Sequence, residues 1–336
     1  MRLAEKSVLF TKVVKGTPPE NSKSDSKTDP PGRNAYTFEP CWLPKGVILP
    51  SMDLSQIRRL VIIAMFSDDE LFSQLTLKGG NALNLVYLLG SRTSVDVDLS
   101  LERDFSDLED ARGRIFRALR NRFREAGLTV FNEKLTARPS ISQENGNERF
   151  GGYEVTFKLM ETEKFDALQD NAQRQRESVV VGPQHQRTFR VQISKYEYCI
   201  GKQEKELDHY TINVYTPEML AIEKIRAICQ QMSDYQLRSN RTPRARDFYD
   251  IHSVIRGAEI DLSTPGNLQL ARYIFAAKEV PLVLISKISE QRDFHKPDWP
   301  AVEVSVSGKL EEFDFYFNFV IDQTRLLESL WKEYAP

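Results

Sequence analysis

The chain is poor in the residues that build disulfide frameworks and zinc sites. Its 336 residues include only three cysteines and four histidines. The cysteines are far apart and odd in number, and the histidines form no HxH or HxxxH pair. This pattern argues against a disulfide-stabilised secreted protein and against a zinc enzyme. It fits a protein of the reducing cytoplasm.

Long hydrophobic runs and a charge excess are also missing. No run of about 18 apolar residues occurs, so the sequence predicts no membrane-spanning helix and no membrane partner. The N-terminus lacks the apolar core of a signal peptide. The 46 basic and 48 acidic residues give a net charge of −2. Any contact with nucleic acid must therefore come from a local patch.

The remaining composition is that of a globular protein long enough for two domains. Residues 16–34 hold four prolines and no aliphatic or aromatic side chain, which predicts a flexible linker within an N-terminal arm, 1–50. Strand and helix patterns alternate over 51–215, and helix patterns dominate 216–336. We therefore expect an α+β fold, with a mixed-sheet domain followed by a mainly helical one.

A double glycine is the first candidate for chemistry. A short strand pattern at 75–78 ends at Gly79 and Gly80, and Asn81 opens a helix. Two glycines let the backbone approach a ligand closely, and the free N–H groups of a first helical turn attract anions. The Asn81 amide can also donate to an oxygen. The turn therefore predicts a seat for phosphate.

Two aspartates are the second candidate. Asp96 and Asp98 lie two apart in a strand pattern at 94–101, so both carboxylates project from one face. They repel unless a cation lies between them, and Mg²⁺ takes such oxygens while keeping phosphate as a further ligand. A double glycine alone is usually a turn, and an Asp-x-Asp alone is usually a solvated face. Together, one helix and a return turn apart, they indicate metal-assisted phosphoryl or nucleotidyl transfer.

These motifs resemble the signature of AbiEii/AbiGii-type toxins, in which KGGTAL precedes RxSxDIDL. The chain reads KGGNAL at 78–83 and RTSVDVDL at 92–99. A second block agrees, with EKIRA at 223–227, an arginine-rich loop at 238–246 and RDFYD at 246–250. The resemblance covers about residues 50–260.

The resemblance implies a polymerase-β-like nucleotidyltransferase whose helical domain, 216–336, contributes to the active site. It implies transfer of NMP from an NTP, with Mg²⁺ or Mn²⁺ as cofactor. It implies a toxin of a toxin–antitoxin or phage-defence pair, with an antitoxin partner and an RNA acceptor, first of all tRNA. The implied catalytic residues are Asp96, Asp98, Lys224 and Asp247, of which Asp96 and Asp98 bind metal. The implied nucleotide-binding residues are Gly79, Gly80, Asn81, Ser94 and Lys224.

Lys224 and Asp247 can also be read without the resemblance. Lys224 lies at the border of an apolar helical stripe, where a partly desolvated lysine makes a strong contact to phosphate. A lysine there can equally be a surface residue that extends to solvent. Asp247 and Asp250 share one helix face, and capping or solvation is the alternative for that pair.

One departure from the superfamily concerns a third carboxylate. The strand that often supplies it reads FRVQIS at 189–194, with Gln192 in the acidic position, and glutamine is neither a base nor a charged ligand. Either two carboxylates suffice, or Glu154 or Glu197 substitutes, or catalysis is lost and a nucleotide- or RNA-binding module remains. Transfer of NMP to a protein acceptor is a further alternative.

Arginines bear on the acceptor. A helix pattern at 107–127 carries Arg112, Arg114, Arg117, Arg120, Arg122 and Arg124. These side chains can follow a phosphate backbone or pair with acids of the same helix. The loop at 238–246 holds four more arginines beside the candidate site.

Overall fold

A computed structural model describes residues 53–332 except 91, 93, 95, 139–150, 183–184 and 238–239. The N-terminal arm and its linker, predicted at 1–50 and 16–34, lie outside the described residues. Within the described residues, seven strands form one sheet: β1 Leu75–Lys78, β2 Val97–Leu101, β3 Leu128–Arg138, β4 Gly152–Glu161, β5 Phe189–Ser194, β6 Gln203–Leu207 and β7 Tyr210–Val214.

The sheet is mixed, with the strand order β3-β4-β5-β2-β1-β7-β6. β2 runs antiparallel to β1 and parallel to β5, and β7 runs parallel to β1. The other neighbours, including β4 with β5, are antiparallel. The two strands that carry the sequence motifs, β1 and β2, therefore lie side by side near the centre.

The helices dominate the second half of the described chain. They are α1 Leu54–Phe66, α2 Asp69–Gln74, α3 Gly79–Asn81, α4 Leu108–Glu125, α5 Thr162–Ala167, α6 Asn171–Glu177, α7 Pro217–Cys229, α8 Ala245–Gly257, α9 Pro265–Ala277, α10 Arg292–His295, α11 Trp299–Ser305, α12 Phe313–Arg325 and α13 Ser329–Lys332. A π-helical turn, Ala82–Val86, continues α3, and 3₁₀ helices lie at Leu282–Gln291 and Lys296–Asp298. Among these described helices, none combines the length and hydrophobicity that a membrane span requires.

The two faces of the sheet differ because side chains alternate along each strand. The apolar face of β2 presents Val97 and Leu99, which are fully buried. α4 packs on this side, and its Phe123 ring lies 5.9 Å from the ring of Phe157 on β4. The opposite face carries Asp98, so the candidate catalytic residues point away from α4.

Helices α7 and α8 form the core of the helical half. α7 begins with a Thr216 side-chain cap and Pro217 in its first turn, a favoured helix start. α8 packs against α7, and its Phe248 ring lies 5.4 Å from that of Phe317 on α12. The core places polar residues of α7 and α8 in a buried position, where they need partners.

The structure confirms the expected α+β class and departs locally from the sequence prediction, including at the following places. The helix predicted to open at Asn81 begins at Gly79. The strand predicted from 94 begins at Val97, because its partner β1 turns away at Gly79. β6 was not predicted, because its sequence, QEKEL, is exposed except for Leu207 and has no apolar alternation.

We expect Phe157→Ala to lower the free energy of unfolding by about 3–5 kcal/mol, because it removes a fully buried ring that also contacts Phe189. Urea denaturation measures the change. Val304→Ala is the control, since Val304 is 91% exposed and its change should stay below about 0.5 kcal/mol. Equal effects of the two substitutions would contradict this packing.

Candidate active site

The glycine bend, Gly79 and Gly80, touches the strand that carries Asp98. Gly79 has φ +71, a left-handed conformation that favours glycine. A Cβ atom at this position would lie 2.4 Å from Oδ2 of Asp98, so the carboxylate occupies the space of the missing side chain. Lys78, just before the bend, is the register partner of Asp98. The structure thus brings together the two motifs that the sequence analysis expected to face each other.

Ser94 lies against the second glycine. A Cβ atom at Gly80 would lie 2.9 Å from Cβ of Ser94 and 3.0 Å from Nη2 of Arg92. The carbonyl of Ser94 accepts a hydrogen bond of 2.5 Å from Nη1 of Arg58. Both glycines therefore allow close approach, one to a carboxylate and the other to a serine.

Asn81 holds the backbone of the aspartate strand. Its side chain is buried, and its amide donates a 2.6 Å hydrogen bond to the carbonyl of Asp96. One amide N–H is therefore committed to the protein rather than to a phosphate. The amide oxygen Oδ1 is buried and has no hydrogen-bond partner among the described residues.

The aspartate pair, Asp96 and Asp98, is electrostatically strained. Burial is the main reason that the pKa of Asp98 rises to about 6, and the negative charge of Asp96 adds to the rise. The positive charges of Lys78 and Lys224 act in the opposite direction. Burial also raises the pKa of Asp96. Both shifts have burial as their first cause, which disfavours the charged form of each carboxyl group.

Gln192 and Glu154 share the face of the aspartate pair. In the ladder, Glu154 of β4 pairs with Gln192 of β5, and Gln192 pairs with Asp98 of β2. The Gln192 amide also donates a 3.3 Å hydrogen bond to Oδ2 of Asp96. Glu154 lies one strand further away and forms a 2.6 Å ion pair with Arg138. Glutamine therefore faces the site, and the nearest additional carboxylate on this face already has a cationic partner.

Lys224 lies in a buried group of charges that we call the α8 network. Its members are Arg92, Lys224, Arg244, Asp247 and Asp250. Nζ of Lys224 lies 2.9 Å from Oδ1 of Asp247 and 2.7 Å from Oδ2 of Asp250. Arg92 binds both carboxylate oxygens of Asp250, at 3.1 and 2.9 Å, and Arg244 pairs with Asp247.

The α8 network keeps its ionised form. The acidic pKa values of Asp247 and Asp250 are lowered because the neighbouring cations outweigh the effect of burial. For Lys224, the charges of Asp247 and Asp250 outweigh burial and raise the pKa of the lysine. Three cations and two carboxylates leave a net charge of +1, and the charge of Lys224 acts on Asp98.

A second buried group, the Glu197 network, surrounds Lys78. It consists of Lys78, Glu197, Glu223, Arg226 and Lys278. Glu197 lies 3.1 Å from Nζ of Lys78 and 3.0 Å from Nη2 of Arg226. Burial tends to raise the pKa of Glu197, but these charges and that of Lys278 outweigh it and lower the pKa to about 2. Glu197 is thus occupied by three cations and is a poor substitute for the missing carboxylate.

The sequence did not predict three basic residues that form ion pairs in the two buried networks. Arg92 was quoted within the motif without a role, and Arg226 and Lys278 were not singled out. A basic residue inside a mostly apolar helix, as Arg226 is in α7, is the signal that points to a buried partner. The identity of that partner depends on tertiary contacts.

The candidate acceptor arginines separate into two groups. α4 packs on the apolar face of the sheet, and several of its arginines pair with acids, as Arg112 does with Glu109 at 2.9 Å and Arg114 with Asp110 at 2.6 Å. In the 238–246 loop, Arg244 belongs to the α8 network, whereas the exposed Arg246 acts electrostatically on Asp96. Arg238 lies outside the described residues.

The aspartate pair fits a divalent cation. Carboxylates are hard oxygen ligands, and a cation would offset the burial that raises the pKa of both carboxyl groups. The unpartnered oxygen of Asn81 lies beside the Asp96 backbone. Among the described residues no group of three or more His, Cys, Asp or Glu side chains could hold a metal. Two carboxylates from the chain would therefore leave the remaining positions to phosphate and water.

Gly79→Ala should lower the free energy of unfolding by about 1–2 kcal/mol through its left-handed backbone alone. It should also weaken Mn²⁺ binding, because the new methyl group displaces the Asp98 carboxylate. Urea denaturation and calorimetric titration with Mn²⁺ measure the two effects. Gly113→Ala is the matched control, since nothing lies within 4 Å of its added Cβ and alanine in a helix should stabilise by about 0.5–1 kcal/mol. Unchanged Mn²⁺ affinity in Gly79→Ala would contradict the close approach.

We expect Glu197 to contribute to acid unfolding. Its folded pKa of about 2 is lower than the usual 4.5, so its stabilisation is present above about pH 4.5 and is lost as the pH falls toward 2. The shift corresponds to about 3 kcal/mol.

Glu197→Gln should remove this pH dependence and cost about 3–5 kcal/mol at pH 7, because three buried cations lose their partner. Urea denaturation at a series of pH values between 3 and 7 measures both effects, with the exposed Glu204→Gln as control. The interpretation fails if both variants follow the wild-type pH curve.

Comparisons with known proteins agree with the motif resemblance. A family model described as "Nucleotidyl transferase AbiEii toxin, Type IV TA system" matches residues 61–318. No protein of curated function matches the chain. The matched range contains the glycine bend, the aspartate pair and both buried charge networks.

Two solved structures resemble the chain distantly. One, from H. pylori, is provisionally described as a nucleotidyltransferase; it has 17% identity and a TM-score of 0.42, over 85% of this chain and 98% of that one. The other, an antigenic nucleotidyltransferase-like protein from Paracoccidioides brasiliensis, has 13% identity and a TM-score of 0.32, over 75% and 95%. Both likenesses are too distant to support an inference about function. The family match, which spans most of the chain, shows that the protein belongs to the AbiEii family of nucleotidyltransferase toxins of type IV toxin–antitoxin systems.

Proposed function

We propose that this nucleotidyltransferase transfers NMP from an NTP to RNA, with tRNA as the first candidate acceptor, and releases pyrophosphate. The observation that carries the proposal is the contact between the Asp98 carboxylate and the Cα side of Gly79. This contact supports the proposal because Gly79 belongs to the candidate phosphate site and Asp98 to the candidate cation site, so that the two sites would be in van der Waals contact. Family membership adds the NTP substrate and the antitoxin partner.

The glycine bend would bind the triphosphate. Backbone N–H groups at the start of α3 attract phosphate, and the absence of side chains at the two glycines allows Asp98 and Ser94 to lie against the bend. Ser94 lies against Gly80 and would line the same seat. Asn81 would act mainly by fixing the Asp96 backbone, since its amide donates to that carbonyl.

The aspartate pair would hold Mg²⁺ or Mn²⁺. When bound, a divalent cation supplies charge neutralisation and orientation at the reacting phosphate. Asp96 and Asp98 would bind it, and the Gln192 amide would orient Asp96. Lys224 would add positive charge behind Asp98, with Asp247 keeping the lysine in place through their 2.9 Å ion pair.

The biological setting follows from the family only in outline. We propose a cytoplasmic toxin of a toxin–antitoxin or phage-defence pair, in which the antitoxin restrains RNA modification. We also propose that residues 216–336 form a helical domain that contributes to the active site, because Lys224 and Asp247 lie on α7 and α8. The alternative acceptor is a protein, to which the same residues would transfer NMP.

A catalytically impaired binding module is the second candidate function, and Gln192 is the observation that favours it. Its amide, rather than a carboxylate, faces Asp96. Such a module would bind NTP in a calorimeter without label transfer, and wild type and Asp96→Asn would inhibit growth equally. An active enzyme would lose growth inhibition in Asp96→Asn.

We expect the double substitution Asp96→Asn and Asp98→Asn to reduce label transfer from radiolabelled NTP to total tRNA by about 10³-fold or more. The pair provides the only proposed cation ligands, and lost electrostatic stabilisation of several kcal/mol has this effect on rate. The control is Asp166→Asn with Asp322→Asn, two exposed aspartates with the same change in charge. Incorporation that survives in the first variant would refute the mechanism.

A further inference from the structure

The polar face of the sheet continues beyond the aspartate pair onto β5, β4 and β3. Two rows of residues paired across neighbouring strands, which we call rungs, lie on this face. One row is Asp98, Gln192, Glu154 and Thr136, and the next row is Arg190, Thr156 and Lys134. Lys158 follows Thr156 on the same side of β4, and Arg138 follows Thr136 on β3. We call Lys134, Arg138, Lys158 and Arg190 the basic sheet face.

The basic sheet face is strongly positive for a chain whose net charge is −2. It holds four cations, of which Arg138 pairs with Glu154; the other acid among the described residues of these rungs is Asp98, at the end of the first rung. Lys134 and Arg190 are exposed. Among the described residues neither is within ion-pair distance of an acid, although the charge of Arg190 acts on Asp96. Lys158 is half-buried, and burial together with the charge of Arg187 lowers its pKa. A surface on which cations outnumber acids favours a polyanionic partner.

The face leads to the candidate active site. Arg190 is two residues from Gln192 on β5, and the Gln192 amide contacts Asp96. Four neighbouring strands, β3 to β2, span about 14 Å at the usual strand spacing. Phe131, packed against Phe165 at 5.3 Å, lies at the far end of the face. A ligand on this surface would therefore run from β3 toward Asp96.

We propose that the basic sheet face binds the phosphate backbone of the single-stranded end of the acceptor RNA and guides it to the aspartate pair. This inference rests on the proposed function, since it supplies the surface for the acceptor. Between Phe131 and Asp98 the described rungs present no aromatic side chain on which bases could stack. Binding should therefore depend on salt and little on sequence.

The test compares two triple variants of the full chain with equal loss of charge. One is Lys134→Gln, Lys158→Gln and Arg190→Gln. The other is Arg112→Gln, Arg117→Gln and Arg124→Gln, which changes exposed arginines of α4 on the opposite side of the sheet. The probe is a fluorescent single-stranded RNA oligonucleotide of mixed sequence, titrated without NTP at several KCl concentrations. The single variant Lys134→Gln, at an exposed site, gives the same readout if the triple variant does not fold.

The sheet-face variant should bind RNA about tenfold or more weakly at low salt. Its slope of log K against log salt should be shallower by about 2, at about 0.7 for each lost phosphate contact. In label transfer the single variant Lys134→Gln should raise the KM for RNA while its KM for NTP stays unchanged, and the α4 variant should match wild type. The sheet-face triple variant is compared in RNA binding alone, because Arg190 acts on Asp96.

Wild-type RNA affinity in the sheet-face variant, an equal loss in the α4 variant, or no RNA binding by wild type would each overturn the inference; the last result would favour a protein acceptor. Salt-dependent binding through the sheet face without label transfer by wild type would instead count against the proposed function alone.

Discussion

The approach of the Asp98 carboxylate to Gly79 is the constraint on which the candidate site depends. Because β1 and β2 are antiparallel neighbours, the end of β1 meets the start of β2, and a bend in one strand lies beside the first side chains of the other. Only a residue without Cβ leaves room for the carboxylate there. The backbone donors of the bend and the oxygens of Asp98 are thereby fixed by the pairing of two strands rather than by a mobile loop.

Charge balance is the second condition for this arrangement. The α8 network and the Glu197 network each combine three cations with two carboxylates and each carry a net charge of +1. Their sum of +2 equals in size the −2 of the aspartate pair. The two networks and the pair therefore sum to zero, and Asp96 is further influenced by Arg190, Glu154 and Arg246. The charge of an NTP must be met by its cation and by exposed groups such as Arg246.

The sequence predicted the parts of the site that depend on local pattern. The Gly-Gly turn and the Asp-x-Asp strand are short-range signals, and each lies close to the expected position. The role of Asn81 was not predictable in this way, because its bond to the Asp96 carbonyl joins residues 15 apart in the chain. The same holds for the pairing of Lys78 with Glu197, 119 residues away. Long-range charge pairs leave little trace in local periodicity.

The sheet topology also decided which arginines face the site. In the sequence, the arginine-rich helix α4 was the more conspicuous feature, whereas Arg190 and Lys134 lie in two separate strands, β5 and β3. Strand order reverses this ranking, because α4 covers the apolar side and β3 to β5 extend the polar side.

α7 carries Glu223, Lys224 and Arg226 within four residues and so supplies members to both buried networks. A chain that stopped after β7 would keep every strand yet leave Lys78, Glu197 and Asp98 with fewer opposite charges. The sheet and the helices that follow it are therefore not separable modules, and recombination or truncation at their junction would be expected to yield an insoluble fragment rather than a weakened enzyme.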